Sequence, residues 1–170
     1  MNTSLDWSNH RGFSLLELCV ALALVALLAG LSAPSFRQSL RAAAVRTAAQ
    51  ELMTGLQQTR GTAIVESRPG VLCLADVAGN CAASEGPAPA WRAFVESGGG
   101  SRTLAARALP AGITLRGTRA RVRFSERALA ASTATLTICD AAGVAAPRAI
   151  VVSQTARARF ATPAAGACRA

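Results

Sequence analysis

The chain has 170 residues, a formal net charge of +9 and a pI near 11.3, and all 18 of its basic residues are arginine. His10 is its only histidine, lysine and tyrosine are absent, and the acids are scattered, so a serine triad, a histidine-bearing zinc site and a lysine Schiff base all lack their residues in the body of the chain. With no phosphate-loop or dinucleotide glycine signature either, the sequence predicts no catalytic residue, no metal and no cofactor, while its positive charge favours acidic or phosphate-bearing partners.

The first element is the run from Phe13 to Ala33, FSLLELCVALALVALLAGLSA, in which Glu17 is the only charge. Its roughly 20 residues make a helix of about 30 Å, enough to span a bilayer. Three explanations compete: a secretory signal peptide cut after the run, an ordinary membrane anchor, and a segment cut before the run. For a signal peptide the run is too long and carries a carboxylate too near its start, and Pro34 follows the best site for a later cut. An ordinary anchor leaves Glu17 without a partner, which is costly for an ionised group in hydrocarbon. The heptad Arg11-Gly12-Phe13-Ser14-Leu15-Leu16-Glu17, running straight into the apolar helix, resembles the processing signal of the prepilin family.

That resemblance implies cleavage after Gly12 by a membrane-embedded prepilin peptidase and methylation of the new amino terminus at Phe13. It also implies that Glu17 pairs with the terminal charge of a neighbouring subunit, so that a charge costly in lipid sets the stagger of a filament. Loss of residues 1–12 removes one arginine and one aspartate, leaving 17 arginines against 8 acids, so the side-chain balance stays at +9.

Pro34 predicts a bend or local break, since it has no amide hydrogen and its ring clashes with the preceding turn. Beyond it, Val45, Ala49, Leu52, Leu56 and Ala63 recur at helical spacing on one face while Arg41, Arg46, Glu51 and Arg60 lie elsewhere, so an amphipathic helix continues to about Ser67. Arg68-Pro69-Gly70 is the predicted stop, with the glycine permitting the exit turn. After it the period changes from 3.6 to 2. Val71 to Leu74, Trp91 to Val95, Thr103 to Leu109, Ile113 to Leu115, Arg121 to Phe124, Ala134 to Cys139, Ala149 to Val152 and Arg157 to Ala161 read as short strands. Gly79-Asn80, Gly98-Gly99-Gly100, Pro110-Ala111-Gly112 and Ala142-Gly143 separate them, so the expected class is α+β, a long N-terminal helix packed on a C-terminal antiparallel sheet or sandwich.

Four cysteines, Cys73, Cys81, Cys139 and Cys168, lie beyond the apolar run without zinc-finger spacing, which predicts two disulfides in an oxidising compartment with three pairings open. Cys19, inside the run, reads as a small buried hydrophobe. Arg119, Arg121 and Arg123 alternate with Ala120, Val122 and Phe124, and Arg157 and Arg159 with Ala158 and Phe160, so each set occupies one face of its strand. A solvated strand face explains such rows most simply; the alternative is a grip on nucleic-acid phosphates.

From Leu56-Gln57-Gln58-Thr59-Arg60-Gly61-Thr62-Ala63-Ile64 into Val71-Leu72-Cys73, then Trp91 with Phe94, Leu136-Thr137-Ile138-Cys139 and Arg148-Ala149-Ile150-Val151-Val152-Ser153, the chain resembles the GspH/FimT group of minor pilins and pseudopilins. The resemblance implies the pairs Cys73–Cys81 and Cys139–Cys168. Some of that group carry a Gly-Arg-x-Arg sequence linked to DNA capture; here it stands as Ala156-Arg157-Ala158-Arg159, which keeps both arginines and puts at risk any backbone geometry needing positive φ. The implied organisation is a leader at 1–12, a transmembrane and assembly helix at 13–36, its amphipathic extension at 37–67 and a β-rich extracytoplasmic domain at 68–170. The implied role is a minor type IV pilin that primes or caps assembly. It would sit as a single-pass protein in the bacterial inner membrane with its globular domain in the periplasm, and then in the pilus. Its partners would be other pilins or pseudopilins, the prepilin peptidase, inner-membrane lipid and, through the arginine rows, DNA. The alternatives are a minor pseudopilin of type II secretion and a membrane-tethered DNA receptor.

Overall fold

A computed structural model of the protein describes residues 14–169, with the side chains of 29–34 outside the described set. Helix α1 (Leu15–Glu66) is followed by β1 (Gly70–Ala75), β2 (Ala90–Ser97), β3 (Gly100–Ala108), β4 (Ile113–Gly117) and β5 (Arg121–Phe124). After a 3-10 turn at Glu126–Ala128 come β6 (Ala134–Asp140), β7 (Arg148–Val152) and β8 (Ala158–Ala161). The backbone is helical through position 34, so Pro34 does not end the helix. Residues up to Arg37 form one compact unit and those from Gln38 onwards another, the second uniting the later part of α1 with every strand.

The strands form two antiparallel four-stranded sheets, in the orders β3-β2-β1-β5 and β4-β6-β7-β8. A mutual pair of backbone hydrogen bonds between Ala88 and Leu115, at 2.8 and 2.9 Å, ties the β1–β2 connection to β4. The apolar helix face is the one that packs: Val45, Ala49, Leu52, Leu56 and Ala63 are all buried, joined by Ala48, Met53 and Thr59. Against it lie Leu72, Leu74, Trp91, Val122 and Phe124 from one sheet and Leu115, Leu136, Ile138, Ile150 and Val152 from the other, in a single core. Strand alternation delivers these side chains inward, as in β5, where Val122 and Phe124 are buried and Arg121 and Arg123 exposed.

The helix ends differently from expectation. Ser67 takes the left-handed conformation (φ 49°) and the Arg68 amide donates to the Ala63 carbonyl at 3.3 Å, a Schellman closure that needs no glycine. Gly70 is instead the first residue of β1, where a Cβ would stand 2.9 Å from both the Thr59 methyl and the Thr59 carbonyl oxygen. It lets the strand approach the helix.

Gly55 makes a second close approach, under the Trp91 indole, where a Cβ would lie 2.5 Å from Cη2 and 2.7 Å from Cζ3. Alanine gains about 1 kcal/mol as a helix former, but overpacking against a buried ring costs up to about 3 kcal/mol. Gly55→Ala is therefore expected to lose about 2 kcal/mol net, read as a lower denaturation midpoint at unchanged slope.

Candidate assembly surface and arginine rows

The N-terminal part of α1 carries exposed apolar side chains around its circumference. Leu15, Leu16, Leu18, Val20, Leu22, Leu24, Val25, Leu27 and Leu28 are all more than half exposed. A surface of this kind marks an interaction site with protein or lipid. Glu17 stands in the first turn, where the positive end of the helix dipole favours a carboxylate. Gly12 and Phe13, the expected cleavage and methylation positions, lie outside the described residues. Among the described residues no helix is long and apolar enough to cross a membrane. The described apolar side chains run from Leu15 to Leu28, roughly 20 Å of helix, and the remainder of the expected span, 29–33, falls outside them. Cys19 is an exposed thiol, not the buried residue expected, since it stands among the exposed side chains of this part of the helix.

Cys73 is bonded to Cys81, with Cα atoms 5.5 Å apart, and Cys139 to Cys168, with Cα atoms 5.6 Å apart. The first bond closes the turn after β1; the second ties the end of β6 to the segment beyond β8. Among the described residues no group of three or more histidine, cysteine, aspartate or glutamate side chains gathers as a metal site would.

The two arginine rows fare differently. Strand β5 begins at Arg121, so Arg119 lies in the preceding bend and its Nε donates to the Thr133 carbonyl at 3.1 Å. Arg123 is taken up by Glu96, 2.5 Å away across the sheet, which leaves Arg121 as the one member of the first row whose guanidinium has no hydrogen-bond or ion-pair partner among the described residues. The expected three-guanidinium face does not form, because the chain bends before the strand starts and an acid on β2 neutralises one end. Arg157 and Arg159 are exposed and have no carboxylate partner among the described residues; Ala158 and Phe160 alternate with them, opposite Val152 and Ile150, yet Phe160 stays 47% exposed because β8 is an edge strand.

Ala156, standing where the resembled pattern has glycine, nevertheless adopts φ 57° and is fully buried. Its amide donates to the Ser153 carbonyl at 3.0 Å, the Ser153 amide donates to the Arg157 carbonyl at 2.9 Å, and the Ser153 hydroxyl accepts from the Arg157 amide at 3.2 Å. The β7–β8 turn thus keeps its left-handed residue at a cost of about 1–2 kcal/mol for an L side chain.

The structure adds a buried carboxylate that the sequence patterns do not single out. Asp140, at the end of β6, accepts from the amides of Ala142 (3.2 Å), Val144 (3.1 Å) and Ala145 (3.1 Å), with the Arg41 guanidinium 4.0 Å away. Burial pushes its pKa up, but the three amides and Arg41 together outweigh burial and hold it below the ordinary 3.8. Arg41 also donates to the Ala111 carbonyl at 2.8 Å, so this pair pins two loops to the helix. The signal was available: an aspartate two and three residues before Ala142-Gly143 is a turn-forming arrangement.

Comparison with known proteins bears on the whole assembly. The family model of the type II transport protein GspH matches residues 48–156, and that of the prokaryotic N-terminal methylation motif matches residues 7–33. No curated protein matches the chain. Among solved structures, the type IV minor pilin FimU of Pseudomonas aeruginosa is similar at a TM-score of 0.52 and 18% identity, over 69% of this chain and 87% of that one. A second crystal form of FimU gives 0.51 and 17%, over 68% and 91%. The minor pseudopilin EpsH from the type 2 secretion system of Vibrio cholerae gives 0.55 and 12%, over 71% and 98%. At these identities the likeness is one of fold: a helix against antiparallel sheets.

Proposed function

The chain belongs to the GspH family of type II transport proteins, and we propose that it is a minor pilin of a type IV pilus, held in the inner membrane by its N-terminal helix before it enters the filament near the tip. The observation that carries this reading is the methylation-motif match at 7–33 leading into a helix whose apolar side chains are exposed on every side and whose first turn holds Glu17. Leaving the bilayer is offset by burying those side chains among neighbouring helices, and the carboxylate, paired with the terminal amine of a neighbour, fixes the stagger. Prepilin peptidase is the partner that makes that amine, by cutting between Gly12 and Phe13.

Glu17→Ala is expected to stay in the membrane fraction and to enter filaments several-fold less than the parent, measured by immunoblot of sheared pili against membranes. Normal incorporation of the variant, or a mature amino terminus other than Phe13, counts against the reading. A second reading, a minor pseudopilin of a type II secretion system, is favoured by the coverage of nearly the whole EpsH chain. Loss of exoprotein secretion with intact piliation in a deletion strain selects it; the reverse outcome selects the pilus.

A further inference from the structure

Two hollows lie between α1 and the edge strand β8. One, of about 340 Å³, is lined by Leu56, Arg60, Ile64, Phe124 and Arg157; the other, of about 350 Å³, by Ala42, Arg46, Pro147, Arg148 and Phe160. Arg46, Met53 and Arg60 recur every seven residues, so they share one flank of the helix, and the two ends of this trough are about 20 Å apart. Strand β8 is the last of its sheet, so among the described residues one side of its backbone ladder has no strand beside it.

Three arginines meet acids among the described residues: Arg41 with Asp140, Arg102 with Glu66 and Arg123 with Glu96. Among the described residues, Arg46, Arg60, Arg148 and Arg157 have no carboxylate partner, and the Arg60 Nε is buried with no hydrogen-bond acceptor at all. A buried donor of a charged group left unmade is costly, and such a group in a native fold calls for a missing acceptor. Phe160, exposed on the edge strand, lines the second hollow beside Arg46 and Arg148.

We propose that this trough is the docking site for an extended, acidic polypeptide segment of a different protein, which continues the sheet beyond β8. It would set one carboxylate against Arg60 and Arg157 and another against Arg46 and Arg148. About six residues in β conformation span the roughly 20 Å between the ends. The guanidinium forks match carboxylates, and the strand edge supplies the backbone ladder, which is how an added strand is recognised. A second copy of this chain does not fit, because its acids are at least nine positions apart and no six-residue stretch holds two. Nucleic acid would meet the arginines but cannot continue a backbone ladder. The inference is separate from the filament reading, since it uses no residue before Ala42.

The test uses the full chain in detergent micelles and fluorescence anisotropy of a labelled six-residue peptide, alternating valine and threonine between two terminal glutamates, at low salt. Saturable binding is expected. Replacing the glutamates by glutamine, methylating alternate peptide nitrogens, or combining Arg60→Gln with Arg157→Gln or Arg46→Gln with Arg148→Gln should each weaken it at least about tenfold. Arg121→Gln, on the other sheet, should leave it unchanged. If a double variant loses the parent's thermal midpoint, the exposed single changes Arg157→Gln and Arg148→Gln carry the test, each expected to weaken binding about threefold. No saturable binding, equal binding of the glutamine peptide, indifference to the arginine changes, or tighter binding of a six-nucleotide thymidine strand overturns the proposal.

Discussion

Asp140→Ala is expected to cost the detergent-solubilised chain about 3 kcal/mol of folding stability at neutral pH, since it strands amides that now donate to a buried carboxylate. The Ala145 amide weighs most, because Ala145 is itself buried, whereas Ala142 and Val144 are exposed and their amides recover water. Asp140→Asn keeps one acceptor oxygen but turns an amide donor towards other donors, so it should lose a comparable though smaller amount. The effect has a definite pH dependence. With the folded carboxyl held below its ordinary 3.8, the unfolded chain binds the proton more readily, so this group's contribution is fully present above 3.8 and is lost as pH falls through the lowered folded value. Denaturant midpoints for parent and Asp140→Asn should therefore differ most near neutrality and converge in strong acid. A gap that is constant with pH would mean that shape, not charge, holds the loop.

That carboxylate also marks where sequence reading stops. All eight expected strands are present, and β5 matches its expected bounds, because alternation and turn residues are local signals that the backbone obeys directly. The buried helix face was legible for the same reason. What failed depended on tertiary context. The alternation at Arg157 to Phe160 places Phe160 on the face opposite the arginines, but it does not tell that the strand lies at a sheet edge, where the ring stays exposed. Arg119 to Phe124 alternates without a flaw, but the ladder with β1 starts only at Arg121, opposite Cys73. The left-handed residues Ser67, Arg127, Ala128 and Ala156 carry no glycine to announce them, so the helix exit and the 3-10 turn had no local signature. Gly70 reads as a turn former because composition cannot tell a glycine that needs positive φ from one that admits a neighbouring backbone.

Removing the Cys139–Cys168 bond, by changing both residues to serine, is expected to cost about 3.6 kcal/mol, against about 2.5 kcal/mol for the Cys73–Cys81 pair, on the chain-entropy account of cross-links. The sequence separations, 29 and 8, set that order, since a longer loop excludes more conformations of the unfolded chain. The folded-state consequences also differ. The short bond closes a turn that is already held by the Asp76 and Asn80 backbone, with the Asp76 amide donating to the Asn80 carbonyl at 3.0 Å. The long bond anchors the segment after β8, which is also tied to the fold by the Arg116 guanidinium donating to the Arg169 carbonyl at 3.2 Å. Amide hydrogen exchange should then separate global from local loss: in the Cys139→Ser/Cys168→Ser chain, β8 should exchange faster than the general fall in stability explains, because β7 alone flanks it. In the Cys73→Ser/Cys81→Ser chain, acceleration should be uniform outside the 76–81 turn. If β8 stays as protected as β6 when the long bond is gone, the strand is held by its own pairing with β7, and the bond acts on the unfolded chain only.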